Sequence, residues 1–409
     1  MKSSIIPNIE FSEMFGTYWM SYCIITSFCS TFFLGNGYTN TEIGILVALA
    51  NLLSVIIQPV AADFIDRSKH FTVLEVIEVM CVAVMGLELF TIVLHGRSIV
   101  MFVAYIVFYS IHASLQPLLN SVNITLAHRN IIVNYGICRG IGSLSYSIMS
   151  LLTGTLLGVY GIRALPYEGE ITVGLLLVGT LILSRRYYRA KDVRGQKETE
   201  EAQPVQNEIS MKEFLGRHRL FLVLCIGVFI LYFNHQVLNY FLLQMFQNVG
   251  GGSSDMSLYY SIITLLEVPG LFAFSWLCSK FSLDTLMKVS ALSYVLRSAV
   301  IMIARTPFVM FVSVIFHFSS FPIFLPAMVR YINEIMAPNE AVRGQSFFMI
   351  AVTASAMAAS FTGGIVLDHF GAGTLNVIST LTAIVGTIMI FGLVKGVRRE
   401  SIELEEAGA

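Results

Sequence analysis

The sequence predicts an all-α membrane protein with twelve transmembrane helices in two parallel six-helix halves. Three observations lead there. Of 409 residues, 56% are hydrophobic and only 12% are charged, and the mean hydropathy is +0.74. Soluble domains carry about 25% charged residues, so too little polar surface remains to coat a globule of this length. Apolar runs of roughly 20 residues, enough for a helix to cross the hydrocarbon, recur along the whole chain. Finally, "VMFV" occurs at 100–103 and again at 309–312, and the same offset carries Pro117 onto Pro326 and Gly154 onto Gly363. A four-residue match alone is weak, but one shared offset across two helices points to duplication. Parallel halves with a site between them near the midplane suit a transporter.

Taken in order, the first half reads as spans near 12–34, 41–62, 73–94, 98–120, 134–161 and 170–188. Lys2 is followed by Glu10 and Glu13 before a long apolar run. That differs from the basic and then short apolar pattern of a cleaved signal, so the first span is expected to stay. The stretch 189–219, "RAKDVRGQKETEEAQPVQNEISMKEFLGRHR", is the one long polar segment and reads as a linker between a half covering 1–188 and a half covering 220–395. The second half gives spans near 220–246, 257–280, 284–304, 307–332, 342–367 and 373–395, with 396–409 as a tail.

Basic residues set the orientation. The odd-to-even loops hold only Arg97, Arg163 and Arg305, whereas Arg67, Lys69, Arg129, Lys280, Lys288, Arg330, Arg343 and the linker cluster lie on the other side. The positive-inside rule then puts both termini, the linker and the tail in the cytoplasm. The expected location is the cytoplasmic (inner) membrane, multi-pass. The six cysteines are scattered through apolar runs without metal spacing and read as small hydrophobes rather than disulfides or ligands. A net charge of −1 points to no nucleic-acid partner. The chain has no Gly-rich phosphate loop, nucleophile elbow or metal cluster, so neither an enzyme, a cofactor nor a metal is expected.

Several stretches resemble a known family. "TEIGILVALANLLSVIIQP" (41–59) is similar to the second helix of the oligosaccharide/proton symporters, the lactose permease-like branch of the major facilitator superfamily, with Gly44 and Gln58-Pro59 at the expected separation. "AADFIDRSKH" (61–70) is similar to the superfamily's loop between helices 2 and 3. Asp66 and Arg67 stand at its acidic-basic pair, although Ala62 and Lys69 replace its usual glycines. Such a pair at a helix end can reach the neighbouring helix and latch one conformation; ordinary solvated loop charge is the plainer alternative. Similar matches run from the first helix to the eleventh.

Charges inside spans are the sharpest functional pointers, because each costs roughly 2.5–3.5 kcal/mol at a helix centre. Arg139, Glu267, Arg297 and His317 all lie within predicted spans. A structural ion pair fixing helix register is the plainer alternative for each. Tyr146 follows Arg139 by seven residues, two turns along the same face, and Gly136, Gly140 and Gly142 leave room for close packing. A guanidinium fork and an aromatic ring suit a sugar, offering donors for hydroxyls and a flat face for C–H groups. The resemblance implies that Arg139 is the sugar-binding arginine and Tyr146 the stacking aromatic, which is usually tryptophan. It also implies that Glu267, Arg297 and His317 couple protonation to sugar affinity. A desolvated carboxylate holds a proton more readily, and a nearby arginine favours its release.

The departures from the family pattern fall at charged positions. Ser320 stands at the tenth-helix acid, Asn234 at the seventh-helix acid, Val352 at the eleventh-helix lysine, and Asn120 at the fourth-helix acid that pairs with the sugar-binding arginine. Glu267 therefore becomes the leading titrating group, with His317 second. His235 and Asn239 add a polar face to helix 7 that can line a cavity or bond neighbouring helices. Glu13, Glu75 and Glu78 read as interfacial, while Glu88 and His112 lie deeper, where they can pair with one another.

The expected function is a secondary active transporter that imports a small hydroxylated solute, a sugar or glycoside, by proton symport with alternating access. Arg139, Tyr146, Asn120, Glu267, Asn234 and His235 are the candidate binding residues. The partners are the solute, protons and the lipid bilayer, and the chain is expected to work as a monomer. Rival readings are an efflux antiporter of amphipathic compounds, a uniporter of the same fold, and a non-transporting solute sensor, for which the linker is too short to hold a signalling module.

Overall fold

The computed structural model describes residues 5–68, 71–190 and 210–408. Most of the predicted linker, and Lys69, lie outside the described residues. The described chain is helical throughout: α1 (Ile5–Tyr22), α2 (Cys29–Gly35), α3 (Asn40–Arg67), α4 (Val73–Val93), α5 (Ile99–Ala127), α6 (Tyr135–Tyr160) and α7 (Ala164–Arg189) come first. They are followed by α8 (Met211–Arg217), α9 (Arg219–Asn248), α10 (Ser253–Lys280), α11 (Leu283–Ile303), α12 (Pro307–Val312), α13 (Val314–His317), α14 (Phe321–Ile335) and α15 (Pro338–Gly408).

Among the described residues, nine helical stretches are long and apolar enough to cross a membrane. Two of these, Tyr135–Arg189 and Glu340–Glu403, are of double length. They turn back at Gly161 (φ 66°) and Gly371 (φ 77°), conformations that a side chain rarely adopts. The first crossing is assembled from α1 and α2, so the described residues carry twelve spans, six up to Arg189 and six from Arg219. This is the all-α architecture that the apolar runs predict.

By contact, the chain divides into two compact units, Met1–Gln203 with Met256–Thr264, and Pro204–Asp255 with Leu265–Ala409. In the first unit, close helix approach depends on particular glycines. A Cβ at Gly142 would fall 2.5 Å from Cδ1 of Trp19, whereas one at Gly140 would meet nothing within 4 Å. Of the three glycines around Arg139, then, only Gly142 is used for close helix packing. Gly169 and Gly179 of α7 similarly leave room for the carboxylates of Glu88 and Glu13. The sixth span starts at Ala164, earlier than the apolar run suggests, which brings Glu168 inside it along with Glu170 at the expected boundary.

The second unit is built around α9, α11, α14 and α15, whose buried side chains include Tyr232, Tyr294, Phe324, Tyr331 and Phe348. A Cβ at Gly386 would fall 2.6 Å from the Leu231 backbone nitrogen, so α9 and α15 meet almost backbone to backbone. At one end, Arg398 reaches Asp284 at 2.8 Å, and Glu340 holds Arg217 at 3.0 Å and His218 at 2.8 Å.

Two spans are interrupted. Between α1 and α2 lies a π-helical turn, Cys23–Ser27. Such an insertion frees backbone groups and is frequent at functional sites; here the Ile25 carbonyl accepts from the Tyr105 hydroxyl at 2.7 Å. The tenth span is broken into α12, α13 and α14. Ser320 (φ −89°, ψ −97°) leaves helical geometry just before Pro322, and proline cannot donate to a preceding turn. The fourth span, α5, by contrast runs unbroken over Ile99–Ala127.

Candidate functional site

In the first unit, Arg139 is the fifth residue of α6, one turn from its start. Its guanidinium carbon lies 4.2 Å from the Trp19 ring centroid, and Nη1 donates to the Ser143 hydroxyl at 3.0 Å. A cation held over an indole face is the strongest form of cation–π contact. Tyr18 and Tyr135 are electrostatic neighbours of the same guanidinium. Tyr18 in turn stacks on His112 at 5.1 Å, and His112 Nε2 lies 2.7 Å from the Ser21 hydroxyl. His112 thus pairs with helix 1 rather than with Glu88, whose electrostatic neighbour is Glu170.

The aromatic partner of Arg139 is therefore Trp19. Tyr146 lies two turns further along α6, about 10 Å at 1.5 Å per residue. It is buried, its hydroxyl 2.7 Å from that of Ser27 in the π-helical turn and its ring edge-on to Tyr260 at 6.5 Å. Asn120 accepts from the Tyr135 hydroxyl at 3.0 Å, and Tyr135 precedes Arg139 by one turn. Arg139 and Tyr146 thus share one face of α6 at two depths, and Asn120 of α5 meets that helix through Tyr135. Sequence reasoning missed Trp19. Its scarcity is the signal that could have found it, since the chain has only 2 tryptophans.

The second unit brings the other candidates together. Nε2 of His317 lies 3.3 Å from Oε1 of Glu267. Arg297 is 1% exposed and is an electrostatic neighbour of both His317 and His235. Phe321, the first residue after the break, stacks on His235 at 4.8 Å and lies nearly parallel to His317 at 6.5 Å. The break thus does structural work, turning His317 and Phe321 toward α9 and α10. Ser320 uses its hydroxyl on the His317 carbonyl at 3.0 Å. In place of the family's acid, this chain has a residue that stabilises the break.

Asn234 sits elsewhere. It is fully buried, and its amide donates to the Ser298 hydroxyl at 2.5 Å and to the Ser379 carbonyl and hydroxyl at 3.0 and 2.6 Å. It pins α9 to α11 and α15. Asn239 bonds Gln236 of its own helix at 3.4 Å. At the second-to-third loop, Arg67 pairs with Asp63 of its own helix at 2.7 Å, and Asp66 is exposed. An exposed pair of this kind contributes about 0–1 kcal/mol.

The model of the MFS_1 like family matches residues 11–377. No curated protein sequence matches the chain. Among solved structures, the chain is similar to the nucleoside transporter NupG (TM-score 0.78, 13% identity, covering 95% of this chain and 98% of that one). It is also similar to a peptide transporter, POT, in complex with alafosfalin (TM-score 0.71, 12% identity, 96% of each chain). A D-xylose-proton symporter matches with a TM-score of 0.67 at 15% identity over 95% of this chain and 98% of that one. At these identities the likeness establishes the fold, and the family match establishes the kinship: the chain belongs to the MFS_1 like family, membrane transporters of the major facilitator superfamily and not enzymes.

Proposed function

We propose that this transporter imports a small hydroxylated solute carrying a ring, a sugar or glycoside, by proton symport with alternating access. The Arg139–Trp19 stack supports the cargo side of this reading. It fixes a planar fork of donors beside an aromatic face, the pair that recognises hydroxyls and ring C–H groups together. Tyr146 and Asn120 extend that face. A nucleoside, itself an N-glycoside and the cargo named for one structural neighbour, has the same two chemical faces.

The observation that carries the proton step is the 3.3 Å contact between His317 and Glu267 beside buried Arg297. One carboxylate, one permanent cation and two neutralisable imidazoles form a cluster that can hold or lose a proton. A proton on Glu267 frees Arg297 electrostatically, and its loss draws the guanidinium back. His235 belongs to this coupling cluster, and Asn234 to the scaffold that holds it.

The test is a panel of sugars, glycosides and nucleosides added to de-energised cells or vesicles while external pH is followed. A substrate should alkalinise the medium with the wild type and fail to do so with Arg139→Ala or Glu267→Gln. Transport without alkalinisation would favour a uniporter. Outward movement of hydrophobic dyes, with no response to any hydroxylated solute, would favour efflux.

A further inference from the structure

We propose that Glu88 is a second proton-binding site, held wholly within the first unit and loaded through a vestibule beside the end of the third span. This goes beyond the cargo reading and does not depend on it. Glu88 lies on α4, five residues before its end at Val93. The residue is 2% exposed, and its Oε2 has no hydrogen-bond partner among the described residues. Its Oε1 is pressed against Gly169, where any Cβ would collide with it. The carboxylate lines a small cavity of about 10 Å3 together with Ile25, Thr91, Tyr105 and Pro166. That is room for one water at most, and too little for a metal cation with its shell of oxygens.

The groups facing Glu88 leave an ionised carboxylate uncompensated. From α7 come Glu170, its electrostatic neighbour, and Glu168, which accepts from Thr153 of α6 at 2.5 Å. From α5 comes the Tyr105 phenol, and from the π-helical turn the thiol of Cys23, a neighbour of Glu168. From α3 the charged side chain at this end is Glu42, which holds Arg97 at 2.5 Å. An ionised Glu88 would thus stand beside like charge in an apolar interior. One proton added to Oε2 removes that charge, and no other bond changes.

A second cavity of about 390 Å3 shares Phe32, Thr91 and Pro166 with the first and is also lined by Asn36, His95 and Arg163. It brings polar and titratable groups to within one layer of side chains of Glu88. On the inner side, Tyr105 donates to the Ile25 carbonyl at 2.7 Å, two residues from Ser27, whose hydroxyl meets Tyr146. Glu88 is thus an electrostatic neighbour of Tyr105, whose hydroxyl is bonded to the π-helical turn that carries Ser27.

Infrared difference spectroscopy of the purified full-length protein, stepped between alkaline and acidic pH, tests this. Acidification should produce a protonated-carboxyl carbonyl band that is lost in Glu88→Gln and retained in Glu267→Gln. Retention in the second variant separates this site from the proposed coupling cluster. Glu88→Asp, which keeps an acid on a shorter stem, should move the band and serves if the glutamine variant does not fold. A band unchanged in both Glu88 variants, or no band in the wild type, overturns the proposal. So does its abolition by excess sodium at constant pH, which would make the ligand a metal cation.

Discussion

His317 Nε2 stands 3.3 Å from Glu267 Oε1, a contact that ties the eighth span to the break in the tenth. Helix breaks inside membranes persist where the freed backbone groups find partners; here the Ser320 hydroxyl and backbone N–H both return to the His317 carbonyl. On the proposed coupling, a proton on Glu267 and the position of the α13–α14 break are parts of one arrangement. Glu267→Gln keeps the shape and the hydrogen bond while removing the titration. Accumulation against a gradient should fall by about 5- to 150-fold, the range of a 1–3 kcal/mol coupling. Solute exchange at equal concentrations should survive. Parallel assays of accumulation and counterflow distinguish this from loss of binding, which would reduce both.

If the proposed cargo site is right, the cation–π stack should make Trp19 a stronger determinant of cargo affinity than Tyr146. Its loss in Trp19→Ala removes about 0.5–2 kcal/mol of positioning, an increase in solute Kd of about 2- to 30-fold. Trp19→Phe should fall between the two, since phenyl is the weaker cation–π face. Arg139→Lys should not restore affinity, because an ammonium lacks the planar fork. Isothermal titration with any solute found in the transport panel measures all three.

Gly142 sits beneath the same indole, and a methyl group there would lie 2.5 Å from Cδ1 of Trp19. The ring is rigid and wedged between α1 and α6, so Gly142→Ala should displace it at an overpacking cost of about 1–3 kcal/mol. With Trp276 replaced by Phe, Trp19 becomes the sole indole, and its emission maximum should shift in Gly142→Ala. A methyl at Gly140, which meets nothing within 4 Å, should leave the spectrum unchanged.

Much of this architecture is legible from apolar run length, because lipid imposes a minimum span and forbids unpaired backbone. The pairing of Glu267 with His317 was also within reach, since intramembrane charges must find one another. What stayed hidden was local. A π-helical insertion at Cys23–Ser27 changes no residue's hydropathy, so a 20-residue window cannot register it. The apolar run puts the start of the sixth span at 170, whereas the helix begins at Ala164 and takes in Glu168. The span admits it because Gly169 leaves space for Glu88 and Thr153 satisfies Glu168. Arg139 pointed toward an aromatic partner on its own helix, while the true stacking ring came from helix 1. Periodicity ranks neighbours along one helix and is silent about those across an interface.

Asn234 gives the clearest separation of scaffold from site. Its amide nitrogen reaches Ser298 and Ser379 and joins three helices of the second unit. Asn234→Ala leaves two serine hydroxyls to find new partners in a packed interior. Losing buried hydrogen bonds of this kind costs about 1–3 kcal/mol, and at roughly 2–4 °C per kcal/mol for a large domain the melting temperature should drop by several degrees. Solute Kd should stay within about twofold, well under the 1.4 kcal/mol that a tenfold change requires. Asn234→Asp should be worse than Ala, because it places an uncompensated carboxylate in the same helix contact. Differential scanning fluorimetry with and without solute measures both quantities in one experiment. If Asn234→Ala kept its melting temperature and lost its ligand-induced shift, the residue would belong to the cargo site after all, and α9 would have to present it to solute in another conformation of the transport cycle.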